Sequence, residues 1–160
     1  MKPKVYVETS IFSTLVSRPT RNVELAGRQH STRKWWQNDA DDYLLFASDI
    51  VQLESREGDP EMARLRLEYI ATVPRLSNTG ESEWIAETIL SAGILPPKAK
   101  ADALHFAIAT AHGLNYLVSW NLRHIANAPI HALVSRHLAT LGYNPPLVCT
   151  PIQLPGVRHG

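Results

Sequence analysis

The chain predicts a three-layer α/β/α sandwich built on a mainly parallel central sheet. Three observations carry this prediction. Short runs rich in β-branched and aromatic residues recur at Val5-Tyr6-Val7, Tyr43–Ala47, Tyr116–Ser119 and Leu147–Cys149, and each reads as a buried strand. Longer segments with helical periodicity and clear start and stop residues lie between them. Strands that alternate with helices form parallel sheets, and right-handed crossovers put helices on both faces.

Each element follows from local signals. Glu8 ends the first strand, and Thr9-Ser10 offer N-caps for a helix over Ile11–Val16. Arg18-Pro19 breaks the chain, and Arg21–Asp42 reads as one or two helices. Ser48-Asp49 caps a helix that carries Ile50, Val51, Leu53 and Glu54 and stops at Gly58. Asp59-Pro60-Glu61 opens another helix, through Leu65, Leu67 and Ile70 to Pro74. Arg75-Leu76 is a short strand candidate. Thr79 begins a helix with Glu81 and Glu83 in its first turn, apolar Trp84, Ile85, Ile89 and Leu90, and Gly93 as its end.

Ala99–His112 is strongly helical, with small alanines for close packing and Asp102 in the first turn. Gly113 ends it, and Trp120-Asn121 stand at the carboxyl end of the strand that follows. Leu122–Asn127 is a turn, and Ala128–Leu141 is a last helix with Ile130, Leu133, Val134 and Leu138 inward. Residues 1–150 form one domain, and 151–160 form a C-terminal tail.

The 160 residues suit a single domain, and 44% hydrophobic content suffices for a core. A net charge of +1 provides no global basic field for nucleic acid. The single cysteine, Cys149, excludes an intrachain disulfide framework and a multi-cysteine zinc site. The N-terminal stretch reads as neither signal peptide nor membrane span, so the expectation is a soluble, cytoplasmic protein. Arg18, Arg21, Arg28, Arg33 and Lys34 surround Trp35-Trp36. That patch has two readings, a surface for phosphates and unstacked bases or a core anchor with a solvated face.

In a parallel sheet, ligands bind outside the carboxyl ends of the strands. Glu8 and Asn121 are expected at two such ends, Asp102 at a helix start and Glu54 in the helix after the second strand. Each acid also has a plainer reading: Glu8 as a rim acid in water, Asp102 as a macrodipole partner. His105 and His112 lie near the Asp102 face, but their spacing matches no tight zinc motif. Three carboxylates in one cleft repel one another unless a cation neutralises them. Oxygen ligands select Mg²⁺ or Mn²⁺, ions that activate water and stabilise phosphoryl charge. The chemistry in view is phosphodiester hydrolysis.

Four segments then carry a resemblance: Val5–Ile11, Ile50–Glu54 with Gly58-Asp59-Pro60, Lys100–His105 and Tyr116–His124. Together, and in this order, they resemble the PIN domain, most nearly VapC-like toxins of type II toxin-antitoxin systems. The resemblance implies a Mg²⁺- or Mn²⁺-dependent endoribonuclease, a homodimer, and an antitoxin that covers the site. By position it implies Glu8, Glu54, Asp102 and Asn121 as catalytic and metal-holding residues. Glu8 stands where the family usually has Asp, which shifts the carboxylate by about one bond length. Asn121 stands in place of a fourth acid, which weakens a second metal position. Ser10 and Ser119 match hydroxyl positions that orient ligands or water, although Ser119 reads equally as a small strand residue. Lys100 and Arg123 are candidate RNA contacts. The alternative is a catalytically weakened RNA- or protein-binding module.

Overall fold

The computed structural model describes residues 1–157; positions 158–160, the end of the expected tail, lie outside the described residues. The sheet grows outward from β1 (Lys4–Val7), whose Val5, Tyr6 and Val7 are fully buried. β1 pairs in parallel with β2 (Leu44–Ser48) on one side and β4 (Tyr116–Val118) on the other. β3 (Arg75–Leu76) extends the sheet beyond β2, and β5 (Leu147–Cys149) extends it beyond β4. The order is β3-β2-β1-β4-β5, and every pairing is parallel. Strand order therefore reverses at β1, and a crevice opens outside the carboxyl ends of β1 and β4.

Helices cover both faces. α1 (Thr9–Val16) packs on α2 (Val23–Asn38), α3 (Asp49–Ser55) and α4 (Pro60–Ile70). α5 (Gly80–Ser91) lies along α6 (Lys100–Ala111) and touches α7 (Ala128–Thr140). This is the α/β/α arrangement expected from the alternation of elements. Among the described residues no helix is long and apolar enough to cross a membrane.

Four local outcomes sharpen or depart from the sequence reading. α1 begins at Thr9, because the extended Glu8 is the N-cap and its carboxylate accepts from Ser10 N–H. The Arg21–Asp42 segment holds a single long α-helix followed by a 3-10 turn at Ala40–Asp42. α6 is buried on all sides from Ala103 to Thr110, rather than along one stripe. A helix enclosed in this way needs small residues where neighbours approach, which its alanines supply. Trp84 and Leu133 are outward, at 52% and 48% exposure, although both were expected inside.

Gly113 lets the chain leave α6. Its φ of +71° is left-handed, and Leu114 N–H closes back on the Ala109 carbonyl at 2.9 Å. Beyond β5, Pro151 and Leu154 are buried, and the Leu154 carbonyl accepts from the Trp35 indole at 2.8 Å. The first part of the segment read as a tail thus lies against α2.

Trp35 is 1% exposed and Trp84 52%, which separates two otherwise similar truncations. Trp35→Ala is expected to cost about 3–5 kcal/mol, and Trp84→Ala less than about 1 kcal/mol, in denaturant unfolding. Equal losses would contradict the packing described.

Candidate metal centre

Glu8 is the innermost acid. It leaves β1 at its carboxyl end and is 5% exposed. Its Oε1 accepts from the Ser10 and Ser119 hydroxyls, both at 2.5 Å, and its Oε2 accepts from Ser10 N–H at 3.1 Å. One serine comes from the first turn of α1 and the other from the end of β4. The reversal in strand order puts those two elements side by side.

Glu54 reaches the same crevice from α3. Its Oε1 accepts from Thr9 Oγ1 and pairs with His105 Nε2, both at 2.6 Å. An ionised carboxylate only accepts, so the second contact requires a proton on Nε2. His105 has no solvent exposure, and its Nε2 lies 3.9 Å from Glu8 Oε2. Ligating atoms of Glu8, Glu54 and His105 all fall within 4.8 Å of one another. On its other edge, His105 Nδ1 meets the Tyr6 hydroxyl at 2.6 Å, and Tyr6 meets Ser48 Oγ at 2.7 Å. Ser48 in turn accepts from Val51 N–H at the start of α3. A continuous polar chain thus threads the core from α3 to Glu54.

Electrostatics follow from this packing. Burial disfavours a charged His105, but the hydrogen bond to Glu54 and the fields of Glu8, Glu54 and Asp102 outweigh it and raise its pKa. Burial likewise works against ionised Glu54, yet the hydrogen bond and charge of His105, with the Thr9 hydroxyl, bring its pKa below the ordinary 4.5. Tyr6 is pushed well above 10, first by burial and then by the nearby acids, so it keeps its proton.

Asp102 forms a second pole one helical turn before His105. Its Oδ1 accepts from Asn121 Nδ2 at 3.0 Å, and its Oδ2 pairs with His124 Nδ1 at 2.8 Å. The Asn121 amide is fixed at both ends, because its Oδ1 accepts from the His124 backbone N–H at 3.0 Å. Its Nδ2 therefore faces Asp102, and its oxygen is turned away into the loop.

The sequence-predicted residues thus fall into two groups. Glu8, Glu54, Ser10 and Ser119 share one hydrogen-bonded cluster with Thr9 and His105. Asp102 and Asn121 share another with His124. Lys100 leans toward α5, 3.5 Å from Glu83 and 4.0 Å from Glu87. Arg123 is exposed on the loop after Asn121 and has no ion pair among the described residues. The basic-aromatic segment is mostly structural. Trp35 is buried, and Trp36 packs edge-on against Phe12 and Tyr69. Arg33 closes the end of α1 on the Leu15 and Ser17 carbonyls. Arg28 pairs with Glu24 and lies over Trp120, 5.3 Å from the ring centroid.

His105, Tyr6, Thr9 and His124 were not singled out as site residues. His105 did carry a signal, since a histidine inside Ala103-Leu104-His105-Phe106-Ala107 must find a polar partner when buried.

The donor set suits a hard divalent cation. Glu54 Oε2 makes no hydrogen bond among the described residues, and Glu8 Oε2 accepts one, from Ser10 N–H at 3.1 Å. An open Glu54 oxygen beside the Glu8 carboxylate is oxygen chemistry, of the kind hard divalent cations take. His105 is already committed to Glu54 and Tyr6, so it acts as the acids' partner.

No protein-family model matches the chain, and no curated protein matches it. Several solved structures share its fold, two of them as follows. VapC20 of Mycobacterium tuberculosis, a sarcin-ricin loop cleaving toxin, aligns with a TM-score of 0.56 at 18% identity, covering 71% of this chain and 86% of that one. VapBC2 of Rickettsia felis, bound to a DNA fragment from its promoter, aligns at 0.57 and 13% identity, covering 92% and 98%.

The Glu54–His105 pair sets a pH signature for the metal-free protein. The lowered Glu54 pKa gives stability that is present above 4.5 and lost as pH falls through the lowered value. The raised His105 pKa gives stability fully present below 6.5 and lost as pH rises through the raised value. The Tm difference between the wild type and Glu54→Gln, measured with chelator, should peak between those limits and shrink on both sides. A difference independent of pH would show that the pair is not ionised.

Proposed function

From the PIN-like fold that this chain shares with VapC structures, we propose that it is a metal-dependent endoribonuclease, the toxin of a type II toxin-antitoxin pair. The observation that carries this reading is the meeting of Glu8 and Glu54 at the strand-order reversal, with Asp102 on the neighbouring helix. Glu8, Glu54 and Asp102 would hold Mg²⁺ or Mn²⁺, directly or through water. Such an ion lowers the pKa of bound water and stabilises charge on the phosphoryl group.

The chain's own residues supply the rest. Ser10 and Ser119 hold the Glu8 carboxylate in one orientation. His105 and Thr9 do the same for Glu54, and Asn121 for Asp102. Orientation fixed before substrate arrives removes reorganisation from the reaction. Arg123 is the better placed of the two candidate RNA contacts, because it is exposed and close to Asp102 in the fold. Lys100 would first have to leave Glu83 and Glu87. In the same reading a cognate antitoxin covers the crevice and two copies of the chain pair.

One observation favours the weaker alternative, a binding module with little turnover: both Asp102 oxygens already have hydrogen-bond partners. RNA cleavage with Mg²⁺ or Mn²⁺ separates the two. The wild type should cut, and Glu8→Gln and Asp102→Asn should each lose more than about a hundredfold. No wild-type cleavage, or two fully active variants, would overturn the nuclease reading.

A further inference from the structure

Asp102, like Glu8, has both oxygens hydrogen-bonded, but its partners are an amide and an imidazole rather than serine groups. Its two oxygens face two different donors, the Asn121 amide at 3.0 Å and His124 Nδ1 at 2.8 Å. Those donors are locked to each other, because Asn121 Oδ1 caps the His124 backbone N–H at 3.0 Å. Asn121 N–H is itself held by Ser119 Oγ at 2.9 Å, and that hydroxyl also donates to Glu8. The loop after β4 thus grips Asp102 at one end and Glu8 at the other. His124 and Asp102 side chains are 16% and 18% exposed, so little solvent competes for these bonds.

This grip has a consequence for cation number. Two-ion phosphodiesterase centres set their ions about 3.5–4 Å apart, and each needs oxygen ligands of its own. On the Glu8–Glu54 side, Glu54 Oε2 makes no hydrogen bond among the described residues. On the far side of Asp102 the nearest amide presents N–H, the positive end of its dipole, while its oxygen is spent on backbone. His124 presents a nitrogen donor there as well. Donor hydrogens repel a cation, so the far side of Asp102 lacks what a second ion requires.

Resting on the metal-nuclease reading, we propose that Asn121 and His124 are positioning residues that clamp Asp102 toward one cation position and close off a second. Neither touches the reacting atoms. Each acts through Asp102, His124 by fixing the carboxylate plane and Asn121 by occupying the place of an acid with a donor.

The test is a Mn²⁺ titration of the full-length protein, followed by calorimetry and by electron paramagnetic resonance of free Mn²⁺, without RNA. The wild type should bind one ion per chain. Asn121→Asp exchanges the donor for a carboxylate and should bind two. His124→Ala should weaken binding by about tenfold or more, and His124→Asn, whose amide reaches roughly where Nδ1 does, should restore most of it. A purely structural role for His124 would not be rescued in this way. Two ions in the wild type, or one in Asn121→Asp, would overturn the clamp while leaving the metal centre intact. No binding by the folded wild type would overturn the metal reading and this inference together. Should His124→Ala fail to fold, the ion count of Asn121→Asp decides alone.

Discussion

Glu8 brings a carboxylate to the end of the central strand, where only 5% of the residue meets solvent. A charge buried to that extent costs several kcal/mol unless donors surround it. Three hydrogen bonds from Ser10 and Ser119 meet that need. Much of the local architecture follows from this. α1 must start immediately after β1 so that Ser10 N–H and hydroxyl can turn back, and β4 must lie beside β1 so that Ser119 reaches across. The register Val7 opposite Val118 sets the second condition.

Having one acid buried constrains the next. Glu54 approaches the same crevice, and two carboxylates that close together would drive one another toward protonation. His105 relieves this from behind, held by Tyr6 and Ser48 within the core. Tyr6, Ser48 and His105 are fully buried, so the polar chain ties α3, β1, β2 and α6 into one unit around the acids. Such a network is costly when incomplete and rigid when complete. It keeps Glu54 ionised and oriented while leaving an oxygen open to the surface.

Asp102 shows a different solution to a similar problem. It stands at a helix start, where the macrodipole already favours a negative charge, and it takes its donors from the loop after β4. The two halves of the centre therefore differ in kind: one leaves a Glu54 oxygen open, the other has both Asp102 oxygens bonded. An all-acid set of four would be symmetric in charge, and this one is not. The asymmetry rests on one side chain, Asn121, whose amide orientation is set by the His124 backbone N–H rather than by Asp102.

The fold class was legible in the sequence because alternation and capping are local properties. β-Branched runs, N-caps and glycine stops act over a few residues, and they located every strand and nearly every helix. The places of three acids were legible as well: Glu8 at a strand end, Asp102 at a helix start and Glu54 in the helix after the second strand. Tertiary structure alone decided which atoms face which. Ser119 could reach Glu8 only once β4 lay beside β1, and Trp84 turned outward because α5 presents another face to its neighbours. His105 left the background only when burial on all sides of α6 forced it to find Tyr6 and Glu54. Asn121 read as a source of oxygen in the sequence, and folding turned its N–H to Asp102, because a backbone amide three residues on claimed the oxygen first. Pattern along the chain specifies elements, whereas the direction of a polar group depends on partners that only folding brings within reach.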